Sequence, residues 1–438
     1  MSDTALSVSR SRADPPATGR AVLPVWPLVL LFALMPLWWA LGALHLGWPL
    51  FGLVLAALLL VRGGIAWPAG TACWLVLLGL VTVSATRIDR LTGVLTFGLR
   101  LGYLFTALTV LLYVYNLARD RAPWSRIFRP LCLFWLAMVA LGWLGVLAPT
   151  FSAASPVQLL MPPGVAGERF IVDLTHLDAT EFNPQSRSPI YRPAAPYPYT
   201  NNWGTAYSLL VPCVVAYLTS VRRGPLRAVL LVSLPLSVVP AFLTLNRGMF
   251  IGLGVGLGYL AARAIARGRP RLLVPVMALV GVGWLISLVI PVGRLITARI
   301  TNTDATYDRL DLYAQTAAEV LRSPLLGYGV PTIVDTTHAA EPLGTQGMVW
   351  QLVYSHGIPA LLCFYLLLLV VARRLAAAVS PTGQWLGTVP VIALAVTPFY
   401  SYVDLNLSVI AFALGLGLAA VDGPVNRDPA PATGGAGR

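Results

Sequence analysis

The chain has 438 residues, 57% of them hydrophobic and only 11% charged, with a mean hydropathy of +0.75. Soluble globular proteins are roughly 45–50% apolar and about 25% charged, so a water-soluble enzyme is excluded and a polytopic membrane protein is expected. The formal charge of +13 comes entirely from arginine on the basic side. Most of these arginines sit in short linkers between apolar runs, a pattern that reports topology and argues against a nucleic-acid partner.

A helix needs about 20 apolar residues to cross a hydrocarbon layer about 30 Å thick. The predicted all-α architecture therefore has about twelve transmembrane helices, near 23–44, 46–61, 66–85, 91–115, 130–149 and 203–221, then 228–245, 248–262, 272–290, 348–371, 385–400 and 405–421. The stretch 228–262 is too long for one crossing and must fold as a hairpin, with Asn246-Arg247 as its polar break. Residues 1–22 are polar and basic, and no small-residue cleavage site follows. They read as a retained cytoplasmic tail.

With that tail inside, nineteen of the thirty arginines fall on the cytoplasmic side against five of the seventeen acids, as the positive-inside rule requires. Both termini are then cytoplasmic, with 422–438 a second, disordered tail rich in Pro, Gly and Ala. The organisation reads as helices 1–5 in 23–149, a long outer loop in 150–202, helices 6–9 in 203–290, a second outer loop in 291–347, and helices 10–12 in 348–421.

In the first loop, Arg187-Ser-Pro-Ile-Tyr191-Arg192 leads to Tyr197-Pro-Tyr199-Thr-Asn201-Asn202-Trp203. Aromatics beside arginines and amides suit sugar stacking, with Arg192, Tyr199 and Trp203 as glycan-binding candidates; an interfacial aromatic belt is the plainer alternative. Glu168, Asp173, His176, Asp178 and Glu181 read as a solvated acidic cluster. No metal site and no cofactor is expected. Cys73, Cys132, Cys213 and Cys363 each lie in an apolar run, as packing residues.

In the second loop, 306–322 has a helical period, with Leu310, Ala314, Ala317 and Leu321 on one face and Asp308, Asp311, Gln315 and Glu319 on another. An amphipathic helix at the membrane surface is predicted. Arg309 lies between the faces, without an acid three or four residues away. Arg247 sits at the hairpin apex, and Arg100 two to three turns inside its span. Arginine's planar fork suits phosphate, so all three are candidates for binding a phosphate-bearing lipid. The run Gly252-Leu-Gly254-Val-Gly256-Leu-Gly258 lies within a span and reads as helix packing.

Three stretches resemble the O-antigen ligase/polymerase superfamily of bacterial membrane glycosyltransferases. They are Leu245-Asn-Arg247-Gly248, then Asp308-Arg309-Leu-Asp-Leu-Tyr with Ser323-Pro324-Leu-Leu-Gly327-Tyr-Gly329, and Gly344-Thr-Gln346-Gly347 running on to His356-Gly357. The resemblance covers roughly 191–369. It implies transfer of a glycan from a polyprenyl-diphosphate carrier to an acceptor glycan or lipid glycan, at the outer face of the plasma (inner) membrane, with Arg247 and Arg309 holding the diphosphate. Family ligases carry a His just before the next span, where this chain has Gln346. Gln346 is then a positioning candidate, and His338, Glu341 or His356 a displaced base. The missing His favours polymerase over ligase, and both stay open. The rival reading is a transporter or flippase of lipid-linked glycans.

Overall fold

The computed structural model describes residues 22–120, 122–166, 169–182, 190–268, 273–274, 276–281, 304–332, 342–402 and 404–423. The chain is mostly helical. Eight helices among the described residues are long and apolar enough to cross a membrane. In chain order the principal helices are α1 (Leu44–Arg62), α2 (Thr71–Ser84), α3 (Leu91–Arg119), α4 (Trp124–Leu147), α5 (Thr200–Ser220), α6 (Pro225–Leu243), α7 (Arg247–Ala266), α8 (Asp304–Val320), α9 (Met348–Leu375), α10 (Thr388–Val396) and α11 (Leu405–Asp422). The eight are α1, α3 to α7, α9 and α11. The hairpin expected in 228–262 is present as α6 and α7.

The remaining expected spans differ for local reasons. The segment 23–44 is broken into Trp26–Leu28, a π-helical turn at Val29–Ala33, and Met35–Leu41. Pro36, which follows the π turn, cannot donate a backbone hydrogen bond. The Trp38 indole donates to the Leu30 carbonyl within the π-helical turn at 2.7 Å. Segment 66–85 forms α2, which has 14 residues and continues as a 3₁₀ turn through Arg87. Segment 385–400 is split between Pro381–Leu386 and α10, and Pro398 lies just past the end of α10. Most of 272–290 lies outside the described residues.

α5 and α11 form the centre, with 83% and 89% of their apolar windows buried, against 28% for α6 and α7. Close backbone approach builds this centre. Gly415 of α11 sits on the Leu111 carbonyl of α3, so an added Cβ would come within 2.6 Å of that oxygen. Of the four glycines in the α7 run, Gly252 and Gly256 face Ile392 of α10, while Gly254 and Gly258 meet nothing. The packing reading of this run therefore holds for one face, at i,i+4 spacing.

The two ends of the bundle differ. At one, arginines close helix C-termini, where backbone carbonyls lack partners. Arg227 donates to the Leu218 and Val221 carbonyls, and Arg263 and Arg267 donate to those of Ala376 and Ala378. Arg62 pairs with Asp120, and Arg374 with Asp422 at 2.9 Å. The opposite end carries the two long loops. The first is more ordered than the sequence suggested, with two antiparallel ribbons pairing β1 (Ser152–Ala153) with β2 (Leu177–Asp178) and β3 (Thr180–Glu181) with β4 (Arg192–Pro193).

α8 forms as expected in the second loop, but its seat differs. Leu312, Thr316 and Val320 are buried, and Tyr313 stacks on Trp350 of α9 at 4.6 Å. Ala314, Ala317 and Leu321, from the expected apolar face, are exposed. The buried stripe runs at i,i+4 spacing through Leu312, Thr316 and Val320, the side of α8 that packs against α9, and Leu321 falls just outside it. α8 is followed by the segment 323–329, which docks into a break in α9. Gly357 has φ +83°, and the break frees backbone groups that the segment satisfies. Tyr328 N–H donates to the Tyr354 carbonyl (2.9 Å), Gly329 N–H to Ser355 (2.7 Å), and Ile358 N–H to Pro324 (2.8 Å). Gly327, Gly329 and Gly357 all have positive φ, and a Cβ at Gly327 or Gly357 would strike the facing backbone.

Gly357→Ala should therefore cost about 1–3 kcal/mol from the left-handed backbone alone, with the clash against the Leu325 carbonyl added. Its thermal midpoint in detergent should fall clearly below wild type. Gly79→Ala, facing open space in α2, should leave the midpoint unchanged or raise it. Equal midpoints for the two variants would disprove the interlock.

Candidate functional site

Four helices begin at one corner of the loop-bearing end, around the segment 397–406. The α7 start is built from Leu245, Asn246, Arg247 and Gly248. Leu245 is the one non-glycine residue with positive φ (+52°) among the described residues. Its turn lets the Asn246 side chain cap α7 by accepting from Met249 N–H at 3.1 Å. Tyr400 donates its hydroxyl proton to Asn246 Oδ1 and accepts from Gly248 N–H at 3.1 Å. A Cβ on Gly248 would overlap the Tyr400 ring, which explains glycine after Arg247.

The α9 start is tied to the same tyrosine. Met348 N–H donates to the Tyr400 carbonyl at 3.0 Å and Val349 N–H to Thr397 at 3.2 Å. Gly347 lies against the Pro398 carbonyl, and Ser401 donates to the Gln351 side chain. At α5, Asn246 Nδ2 reaches the Asn201 carbonyl at 3.3 Å, and Glu181 accepts from Thr200 N–H at 2.8 Å. At α11, Asp404 caps Asn406 N–H at 2.7 Å and accepts from the Asn202 side-chain amide. Asn406 donates to the Asn202 carbonyl at 3.1 Å, and Tyr197 donates to Asn406 Oδ1 at 3.2 Å. The four helix starts thus form one hydrogen-bonded junction.

Helix N-termini carry partial positive charge, equivalent to about half an elementary charge each. At this junction several of the first amides are already satisfied by protein oxygens, so the helices contribute a field more than open donors. Arg247, at the first position of α7, is exposed to solvent. The arrangement can attract an anion to the face where Arg247 stands. Asp404 opposes that field from inside. Burial pushes its carboxyl up to about 7, against the lowering effect of the bonds from Asn202 and Asn406.

The structure brings two of the sequence-selected residues to this corner. Arg247 and Gln346 flank the Tyr400 turn, Gln346 standing two residues before α9 begins. Arg309 lies on α8, whose later residues pack against α9; its side chain is outside the description, and His338 and Glu341 lie outside the described residues. Arg100 sits apart, within the α3 span. Its Nη1 is buried without a hydrogen-bond partner, and its titratable neighbours are Tyr103 and His356. His356 is buried one residue before the α9 break. Ser84 gives its hydroxyl proton to the Val81 carbonyl (2.6 Å), so His356 Nδ1–H donates to Ser84 Oγ (2.7 Å).

The glycan candidates gather at the α5 start, with Tyr199 at its N-cap position, Trp203 in its first turn and Arg192 one residue away through Glu181, and each is engaged within the protein. Arg192 is paired with Glu181. Tyr199 donates to Asp173 at 2.5 Å. Trp203 is 0% exposed and stacked on Tyr207 at 5.4 Å, a packing position. Of the residues that assemble the corner, Asn202 and Asn246 stood in stretches read from sequence without this role, and Tyr400, Asp404 and Asn406 were not singled out. Asp404 offered a signal, since a carboxylate at the edge of an apolar span is expensive unless held.

No protein-family model matches this chain, and no curated protein matches its sequence.

The raised Asp404 carboxyl sets a pH dependence. Because its folded value lies above the ordinary 3.8, the folded state binds the extra proton between the two values. The stability contributed by this carboxyl is fully present below about pH 4 and is lost as pH rises towards 7. Asp404→Asn should flatten that slope in thermal unfolding series from pH 4 to 8. An unchanged slope would show that Asp404 does not titrate in this window.

Proposed function

We propose that the protein is a membrane glycosyltransferase of the O-antigen polymerase or ligase kind, taking a glycan from a polyprenyl-diphosphate carrier. The observation that carries the reading is the junction of four helix starts with Arg247 exposed beside it, a field suited to a diphosphate. In this proposal the loop-bearing end faces outward from the plasma membrane, the arginine-capped end faces the cytoplasm, and the chain crosses about twelve times. The arginine distribution supports that orientation.

In the reaction, an acceptor hydroxyl oxygen bonds to the anomeric carbon of the donor glycan. The bond from that carbon to the diphosphate oxygen breaks, and its electron pair leaves with the diphosphate. Arg247, with Arg309 on α8, stabilises that departing charge, and such electrostatic help is often the largest catalytic contribution. Gln346 orients the acceptor hydroxyl. One proton passes to a base, for which His338 and Glu341 are the candidates. Arg100, with an unpaired nitrogen inside a span, supports the second reading, a flippase carrying the same anionic lipid through the bilayer.

A deletion strain separates the two. Loss of the transferase leaves unpolymerised or untransferred lipid-linked glycan on the outer leaflet, whereas loss of a flippase strands it on the cytoplasmic leaflet. Unchanged surface polysaccharide and unchanged intermediates would refute both.

Orientation is tested in a background lacking the four native cysteines. Leu321→Cys should react with an impermeant maleimide applied outside intact cells, and Arg223→Cys should not. The reverse pattern inverts the proposal. For the chemistry, Arg247→Ala should abolish transfer with insertion intact, and Arg247→Lys should recover part, since it keeps charge without the fork. Gln346→Ala should slow turnover by roughly 10–10²-fold, as for lost positioning. Full activity in Arg247→Ala would remove the diphosphate assignment.

A further inference from the structure

His45 stands in the first turn of α1 at the loop-bearing end. It is 3% exposed, and neither ring nitrogen makes a hydrogen bond; the Pro196 carbonyl beside it falls outside hydrogen-bonding geometry. Native interiors leave few buried polar atoms unpaired, and an imidazole with both nitrogens unused needs a partner from elsewhere. His45 lines a cavity of about 40 Å³, together with Trp39, Asp173, His176, Asp178 and Tyr197. A water-sized group needs about 10–15 Å³ of such space. The cavity therefore admits about three or four such groups and is too small for a whole ring.

The lining selects the ligand. A neutral imidazole offers one donor and one acceptor, and a hydroxyl is the small group that answers both. Asp173 and Asp178 accept hydrogen bonds and repel anions. His176 is already engaged, to Ser152 and Gln158 at 2.9 Å each, and frames the wall. No cluster of three metal-ligating side chains is assembled among the described residues, which argues against a coordinated cation. Trp39, half-buried, supplies aromatic surface of the kind that packs on the apolar face of a sugar, and the buried Tyr197 forms the inner wall. Asp178 is exposed, at the solvent side of the cavity.

We infer that the His45 cavity is a carbohydrate subsite, in which one hydroxyl or hydroxymethyl arm of a sugar reaches the imidazole while the ring stays at the mouth beside Asp178. Tyr197 joins it to the junction through its hydrogen bond to Asn406, which bonds in turn to Asn202. Resting on the glycosyltransferase reading, the subsite holds the acceptor glycan, separate from the donor diphosphate at Arg247.

The full chain, purified in a detergent without a sugar headgroup, is tested by saturation-transfer NMR. The probes are glucose, galactose, mannose, rhamnose and N-acetylglucosamine at millimolar concentration. At least one sugar should receive saturation. The signal should fall at least tenfold in His45→Leu, persist in part in His45→Gln, whose amide supplies a donor and an acceptor, and persist fully in Gly79→Ala. Asp178→Asn, at an exposed position that does not threaten folding, should weaken it severalfold. Absence of any sugar signal that depends on His45 or Asp178 overturns the subsite. The readout needs no turnover. Dependent binding together with unchanged surface polysaccharide in the deletion strain therefore keeps the subsite and rejects its acceptor role.

Discussion

A backbone group inside a bilayer has no water to turn to, so each helix break must be repaired by protein. The break in α9 at Gly357 is repaired by 324–329, and much of the loop-bearing end follows from that repair. The three bonds to Tyr354, Ser355 and Ile358 fix the segment, and the segment fixes the end of α8. α8 then has one surface on α9, through Leu312, Thr316 and Val320, and another, with Ala314, Ala317 and Leu321, left exposed. Three left-handed glycines permit the approach because only a residue without Cβ tolerates both the φ value and the facing backbone.

A second repair operates at the helix starts. Four N-termini at one corner would leave many unsatisfied amides and a concentrated positive field. Tyr400 answers for two helices at once, accepting from Gly248 N–H with its hydroxyl and from Met348 N–H with its carbonyl. Asn246 and Asp404 answer for their own helices and bind their neighbours. The junction is therefore rigid, and Arg247 is exposed on a fixed base. Arginine performs the opposite task at the other end, closing carbonyl termini, so the charge asymmetry read as topology also completes helix C-termini.

The polar residues inside the bundle sort by whether they are satisfied. Asn116 is, bridging both backbone groups of Ala66 and the Leu112 carbonyl. His356 has Ser84. His45 and one nitrogen of Arg100 are among the buried groups without partners, as are the Trp203, Trp350 and Trp385 indoles, and His45 differs in leaving both of its ring nitrogens unused beside a cavity. The distinction rests on hydrogen-bond accounting, because hydropathy treats a satisfied and an unsatisfied buried group alike.

The sequence by itself determined that the chain is a helical membrane protein, because an apolar run of about 20 residues has few other stable forms. It also located the α6–α7 hairpin, since 228–262 exceeds one crossing, and the helix of the second loop, since its period is local. Pairings distant in sequence were beyond its reach. That Leu312 rather than Ala314 faces protein, that Trp203 packs on Tyr207 instead of meeting solvent, and that Asn202 meets Asp404 depend on which helices become neighbours. The same holds for the match of 324–329 to the α9 break. Local periodicity carries a helix and its faces; only tertiary packing chooses which face is buried and which polar atoms find partners.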